Sequence, residues 1–311
     1  MELSAVPFAV RVPATSANLG PGFDALGMAL ALANEVRVEP SDRVEVYVEA
    51  GEGAEELSPG ADNLVYRSLA RIAEYLGEPP PTVRLRCLNA IPLARGLGSS
   101  SAAIVAGLVA GNTLFGNRLT EAELLRLAVT IEGHPDNVTP ALLGGVRVCV
   151  QGEGGLVQAP IALARPLLAV LFVPDFPMAT AEARDLLPAS VPRADAVYNL
   201  GRTALLVAAL TSGDYALLAE ATRDRLHQPA RTALFPAMPA FFAAALEAGA
   251  LGGFLSGAGS TLLALVEPPK AGGAAAAPRV VEAFRATAAR EGVAGRTLVT
   301  AISQEGARVL R

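Results

Sequence analysis

The chain has 311 residues, of which 52% are hydrophobic and 18% charged, with a formal net charge of −5. That length suits one large domain or two ordinary ones, and a mildly acidic chain with no basic block points away from nucleic acid and anionic membranes as partners. No apolar run reaches about 18 residues, the start carries Glu2 but no basic residue before Arg11 and so lacks a signal-peptide pattern, and Cys87 and Cys149 read as buried thiols of a reduced compartment; a cytoplasmic protein is expected.

A strand over 8–12 leads into PATSANLGPGFDALG at 13–27. Gly20-Pro21-Gly22 demands a tight turn, with Asn18 and Asp24 on either side. Asp24 is the only charge among small residues, which suits a binding loop better than a solvated one. Segments 35–39 and 43–50 alternate as antiparallel strands do, separated by Pro40-Ser41-Asp42. A helix over 63–76 is capped by Asp62-Asn63 and ended by Gly77, and a strand over 83–88 follows.

That strand feeds IPLARGLGSSSAA at 91–103. Pro92 ends the apolar approach, Gly96 and Gly98 bend the backbone, and three serines open a helix running to about Leu114. Such a helix points unpaired N–H groups and its positive end at whatever precedes it. Glycines there let an anion approach the main chain, so the stretch reads as a phosphate cradle. It is not the common P-loop, because Ser99 stands where that motif has lysine. The chain's one lysine, Lys270, lies in the Ala/Gly-rich stretch 270–278, which reads as a mobile loop away from the chemistry. Phosphate would have to be neutralised by backbone amides, arginine and a metal.

A helix over 121–131, with Thr120 as its N-cap, runs into EGHPDNV at 132–138, which holds one of the two histidines. Turn and strand follow over 143–150. Periodicity fades over 152–164, which places a domain boundary near 160 and divides the chain into 1–160 and 161–311. Beyond it come a buried strand at 167–173, helices at 199–210, 215–224, 238–248 and 279–290, and a strand at 296–302. Arg184 ends TAEAR, and DRLHQPAR carries His227 and Arg231. Glycines at 252–261, ahead of another buried strand, signal close backbone approach or a tight bend.

The glycine-rich stretches 13–27, 92–103 and 252–261 resemble the three signature motifs of the GHMP kinases. With EGHPDNVTPALLGG and DRLHQPAR in the same order, the likeness is nearest to the homoserine kinase branch. This resemblance implies an α+β fold of two domains, an N-terminal mixed-sheet domain with the phosphate loop and a C-terminal ferredoxin-like α/β domain. It implies ATP bound along Pro92, Leu93, Ala94, Arg95, Gly96, Leu97, Gly98, Ser99, Ser100, Ser101 and Ala102, with Ser256, Gly257 and Gly259 from the third motif and Asn63 near the adenine. The reaction implied is phosphorylation of the side-chain hydroxyl of L-homoserine. Glu132 and Ser100 match the family's Mg²⁺ site, whose hard oxygen donors suit that ion. Asn18, Asp24, His134, Asp136, Arg184 and Arg231 match residues around the amino acid, and Asn18, Asp24, Glu132, His134 and Asn137 make up the catalytic group. A small molecule is the expected partner, and a homodimer is left open.

Two departures stand out. Asn89 lies where members often carry a lysine, and Asn137 stands where the mevalonate kinase branch has an aspartate base. An amide cannot accept the hydroxyl proton. Homoserine kinases are thought to work without a dedicated base, and a loose phosphoryl-transfer transition state needs alignment and charge neutralisation first; Asp24 or His134 could take the proton late. A sugar or isoprenoid-precursor kinase would leave Asp24 and the two arginines with less to do. A non-catalytic binding protein on the same fold should have lost Glu132 or the glycines, and a serine hydrolase would need a Gly-x-Ser-x-Gly elbow that is missing.

Overall fold

A computed structural model of the chain describes residues 6–55, 57–269 and 275–310. Strands β1 (Phe8–Ala17) and β2 (Leu26–Pro40) run antiparallel, with an irregularity at Pro13/Ala14. β3 (Glu45–Gly51) does not pair with β2, against the hairpin that the alternation suggests. Helix α1 (Leu64–Leu76) carries the chain over, and β4 (Val83–Asn89) inserts between them, antiparallel to β2 and parallel to β3. Period-two alternation sets which face is buried, not which strand lies alongside, and parallel neighbours need such a crossover.

Helices α2 (Ser99–Leu114), α3 (Glu121–Glu132) and α4 (Pro135–Leu143) follow. α2 is apolar around most of its circumference because α1, α3, α4 and β1 all pack on it. It approaches α1 closely: a Cβ at Gly107 would come within 2.2 Å of the Val65 carbonyl oxygen. α3 is held at its start by a full capping box between Thr120 and Glu123. β5 (Val146–Gly152) and β6 (Gly155–Ile161) form a hairpin. β6 therefore occupies the stretch expected to lack regular structure; it is so little buried that no apolar alternation marks it.

The second half contains β7 (Leu168–Pro174), α5 (Thr180–Asp185), α6 (Arg193–Ser212), a 3-10 turn at Tyr215–Leu217, α7 (Leu218–Ala221), α8 (Gln228–Arg231) and α9 (Met238–Glu247). It continues through β8 (Gly252–Leu255), β9 (Leu262–Val266), α10 (Ala276–Glu291), β10 (Gly295–Ala301) and β11 (Arg308–Leu310). The expected mobile stretch 270–278 is corrected at its end, where α10 begins, and its residues 270–274 lie outside the described residues.

One sheet has the order β11-β1-β2-β4-β3, with β5 joining β2 and β6 joining β5. The last strand thus returns to the first. The other sheet is antiparallel in the order β10-β7-β9-β8. Counted within that sheet this is the 4-1-3-2 order of the ferredoxin-like arrangement, with α9 and α10 packed against it. Phe172, Phe241 and Phe284 fill that interface, with ring centroids 4.6–6.2 Å apart. From the same sheet Leu171, Val173, Leu263 and Leu265 join the core of the first sheet, so one apolar cluster spans both. Cys87 and Cys149 are unpaired, and burial pushes both thiols up to about 11. Among the described residues no helix is long and apolar enough to cross a membrane.

Candidate active site

The three glycine-rich segments converge on a cavity of about 420 Å³ that draws on both sheets. One end is the start of α2. Gly98 precedes the helix with φ 68°, no side chain caps the first turn, and the N–H groups of Ser99, Ser100 and Ser101 have no acceptor among the described residues. Free amides at the positive end of a buried helix form an anion site. A Cβ at Gly98 would fall 1.9 Å from Thr15 Oγ1, and one at Gly96 2.1 Å from the Ser256 carbonyl oxygen. Ser256 Oγ in turn donates to the Gly96 carbonyl at 2.6 Å. The first and third glycine-rich segments therefore clamp the second.

Leu93 to Ser100 and Ala102 line the cavity, whereas Pro92, Ser101, Ser256 and Gly259 lie behind it. Arg95 lines the wall but directs its guanidinium elsewhere. Nε donates to the Pro174 carbonyl and Nη1 to that of Leu93, both at 2.9 Å, and Nη2 donates to Asp175, so the side chain ties the loop to the end of β7. Asn63 also lines the cavity, yet its Oδ1 caps α1 through Val65 N–H at 3.0 Å and its Nδ2 donates to the Ser58 carbonyl at 2.8 Å. Beside it Val36, Val48, Leu57, Leu64 and Cys87 form an apolar recess. Asn89, in the lysine position, donates to the Glu52 carbonyl.

α3 delivers Glu132 in its last turn, and Gly133, at φ 90°, turns the chain so that His134 becomes the N-cap of α4. Glu132 Oε1 accepts from Ser100 Oγ at 2.9 Å and Ser101 Oγ at 2.7 Å. Among the described residues no group of three or more His, Cys, Asp or Glu side chains could hold a metal by itself. A hard cation at Glu132 would need oxygens from outside the protein, as Mg²⁺ commonly takes from phosphate and water. The donor set fits that ion. His134 Nδ1 donates to Asp136 Oδ1 at 2.9 Å, and this bond raises the imidazole above its usual pKa of 6.5 against the effect of burial. Asn137 Oδ1 accepts from Thr15 Oγ1 at 2.8 Å.

The opposite end is built from side chains. Asn18, Leu19 and Asp24 have φ of 69°, 48° and 54°, a left-handed region that Asn and Asp tolerate but that is uncommon for a residue such as Leu19. Asn18 makes two bonds here: Oδ1 accepts from Asp24 N–H and Nδ2 donates to the Gly257 carbonyl, each at 3.0 Å. Asp24 meets Arg184 in a bidentate pair, with Nη1–Oδ2 at 3.0 Å and Nη2–Oδ1 at 2.6 Å. The carboxylate raises the Arg184 pKa further. Arg184 is therefore no mere surface partner of its sequence neighbours Glu182 and Asp185.

Arg231 differs. It is 1% exposed, so the solvated-face reading of its charged segment does not hold. Nη1 donates to the Gly257 carbonyl at 3.0 Å and to His227 Nδ1 at 2.9 Å, and Nε donates to the Ala183 carbonyl at 3.3 Å. None of these partners is a carboxylate, and Nη2 has no partner among the described residues. Burial, followed by the nearby Arg184 charge, lowers the Arg231 pKa to about 10. The charges of Asp224, Asp24 and Asp136 offset part of this, but no carboxylate bonds the guanidinium directly, and it borders the cavity. The Phe23 ring lies 5.4 Å from the Arg184 guanidinium carbon and 5.6 Å from that of Arg231.

Residues 63–145 match the GHMP kinases N terminal domain and residues 206–286 the GHMP kinases C terminal domain. The chain belongs to the GHMP kinase family. It is 45% identical over 301 residues to a homoserine kinase of Desulfitobacterium hafniense, covering 97% of this chain and 99% of the relative. It is 50% identical over 259 residues to a homoserine kinase of Gloeobacter violaceus, covering 82% and 86%. The crystal structure of homoserine kinase from Cytophaga hutchinsonii superposes with a TM-score of 0.86 at 32% identity, over 98% of this chain and 97% of that one. L. major mevalonate kinase, at 17% identity and a TM-score of 0.71, shares the fold. Two of the three glycine-rich segments at the cavity, 92–103 and 252–261, lie within these family matches. Sequence reasoning did not single out Phe23, Met178 or Thr180, which also line it. Phe23 lies inside a stretch already marked by its glycines and Asp24, but Met178 and Thr180 follow β7 with no local signal.

Proposed function

We propose that the protein transfers the terminal phosphoryl group of ATP to the side-chain hydroxyl of L-homoserine, giving O-phospho-L-homoserine, as an enzyme of the cytoplasm. ATP use follows from family membership, and the amino-acid substrate is the finer reading. The observation that carries it is the buried, unpaired guanidinium of Arg231 beside the Asp24–Arg184 pair. Together they offer two positive groups and one negative one, the complement of an α-amino acid zwitterion. In this reading Arg231 and Arg184 hold the carboxylate and Asp24 the ammonium group, with Asn18 fixing Asp24. In the division at residue 160, the first part supplies the α2 amides and Glu132 and the second both arginines, while β11 returns to the first sheet and Ser256 braces the loop at Gly96.

Glu132 and Ser100 would hold Mg²⁺, which supplies charge neutralisation for the phosphoryl oxygens when bound. The α2 amides orient the phosphates. Asn137 is an amide and cannot serve as a base, and both Asp24 oxygens accept from Arg184, whereas His134, with Nδ1–H donated to Asp136, keeps Nε2 free to take the hydroxyl proton late in transfer. His134 and Asn137 also orient the hydroxyl, and the catalysis rests on alignment together with charge neutralisation.

ATP consumption against homoserine, mevalonate, galactose and shikimate tests the reading. Turnover is expected with homoserine alone. Comparable kcat/KM with mevalonate or galactose would overturn the substrate assignment.

A further inference from the structure

We propose that His227, which does not border the cavity, is a positioning residue that holds Arg231 in register with the amino-acid substrate. The inference rests on the reading that Arg231 binds the substrate carboxylate. Its starting point is the buried carboxylate of Asp224, which accepts from the N–H groups of Leu226 at 2.9 Å, His227 at 3.0 Å and Gln228 at 2.7 Å, and from Asn199 Nδ2 at 2.7 Å. These bonds fix the backbone at the start of α8. His227 and Arg231 then stand four residues apart, close enough for their side chains to meet.

The protonation of the ring follows from its partners. His227 Nε2 lies 2.8 Å from the Gly20 carbonyl oxygen, which can only accept, and Nδ1 lies 2.9 Å from Arg231 Nη1, which can only donate. Only the neutral ring with its proton on Nε2 satisfies both. Burial favours the neutral ring, pushing its pKa below the usual imidazole range. The Phe23 ring stacks on it at 5.3 Å, and Phe23 immediately precedes Asp24. His227 therefore links the loop that carries Asp24 to the guanidinium that faces the cavity. With Nε and Nη1 of Arg231 held by the Ala183 carbonyl, the Gly257 carbonyl and His227, the edge left for a ligand is Nη2. Removing the imidazole acceptor frees the guanidinium to turn, which weakens a carboxylate contact without touching the phosphate cradle.

Steady-state kinetics of the full chain as His227→Asn, His227→Gln, Arg231→Ala and the His227→Gln/Arg231→Ala double variant test this. Asparagine keeps an acceptor near the Nδ1 position; glutamine keeps a donor toward Gly20 but places no acceptor there. His227→Gln is expected to raise KM for homoserine about ten-fold, the scale of one hydrogen bond to a charged group, with KM for ATP unchanged. His227→Asn should restore most of the homoserine affinity, and His227→Gln should add nothing to Arg231→Ala. Equal losses in both His227 variants, losses shared with ATP, or full additivity with Arg231→Ala would reduce His227 to a packing residue. If Arg231→Ala left KM for homoserine unchanged, the carboxylate reading would fail instead. Should the variants not fold, ¹⁵N resonances of the unsubstituted protein decide: a bare Nδ1 and a protonated Nε2 are expected, and a proton on Nδ1 overturns the proposal.

Discussion

The two ends of the cavity are made of different material. At the end assigned to phosphate the groups on offer are mostly main-chain: free amides at the start of α2 and a glycine in the left-handed region, with one carboxylate held by two serines. At the end assigned to the amino acid the groups on offer are side chains, and Asp24, Arg184, Arg231 and His227 reach one another across as many as 207 residues of sequence when the Gly20 contact is included. Backbone donors depend on local φ and ψ, so a short stretch of sequence specifies them. Side-chain constellations depend on the whole fold being in place. The first end suits a group with the same charge and geometry in every nucleotide, the second a group that distinguishes one substrate from another.

The contrast can be broken most sharply at Glu132. Glu132→Gln keeps the size of the side chain and an acceptor for Ser100 and Ser101. If the carboxylate holds the Mg²⁺ that neutralises charge in transfer, kcat at saturating Mg²⁺ should fall by about two to three decades, equivalent to several kcal/mol of transition-state stabilisation. KM for homoserine should stay near its normal value. Near-normal turnover in a folded variant would separate the charge at the phosphate end from the chemistry.

A smaller effect, confined to the other end, is expected from the arginines. Arg231→Ala should cut kcat/KM for homoserine by about 10- to 100-fold, since hydrogen bonds to charged groups contribute about 1.5–3 kcal/mol. Arg184→Ala should cost less, because Arg184 is already balanced by Asp24 and is more exposed. KM for ATP should be unaffected in both. The opposite ranking in steady-state kinetics would move the carboxylate onto Arg184.

The same contrast governs what could be read from the sequence. The Asn63 cap, the Thr120 capping box and the glycine–serine entry to α2 are local devices, and each is visible in a few consecutive residues. The order of strands is not local, and the alternation of 43–50 gave no sign that β4 would come between β2 and β3. Arg95 belongs to the phosphate motif by position, but its orientation is set by carbonyls at the end of β7. Arg231 lies in a run of mixed charge that reads as solvated; Asp224 turns inward to cap the backbone there and takes the segment with it. The partner of Arg184 was equally hidden, since Asp185 is its neighbour in sequence and Asp24 is 160 residues away.

The seam between the two ends offers the mildest test, through His134 and Asp136. Asp136 is 2% exposed and accepts from His134 Nδ1 at 2.9 Å. That bond raises the imidazole pKa above 6.5 in the folded protein. Because the folded value lies above the unfolded one, the pair contributes stability that is fully present below the unfolded pKa. The contribution is lost as pH rises through the folded pKa. Asp136→Asn removes the charge while keeping an amide oxygen in place, so burial should then dominate and the His134 midpoint should drop. The stability advantage of the unsubstituted protein over Asp136→Asn should accordingly shrink as pH rises through that window, by about 1 kcal/mol or a few degrees in Tm. The chain has only two histidines, and burial pushes the His227 pKa below the usual imidazole range while that of His134 is raised, so the two rings are told apart in an NMR titration by the direction of their shifts. A midpoint above 6.5 that falls in Asp136→Asn is the expected outcome. The same midpoint in both proteins would mean that Asp136 does not set the charge of His134.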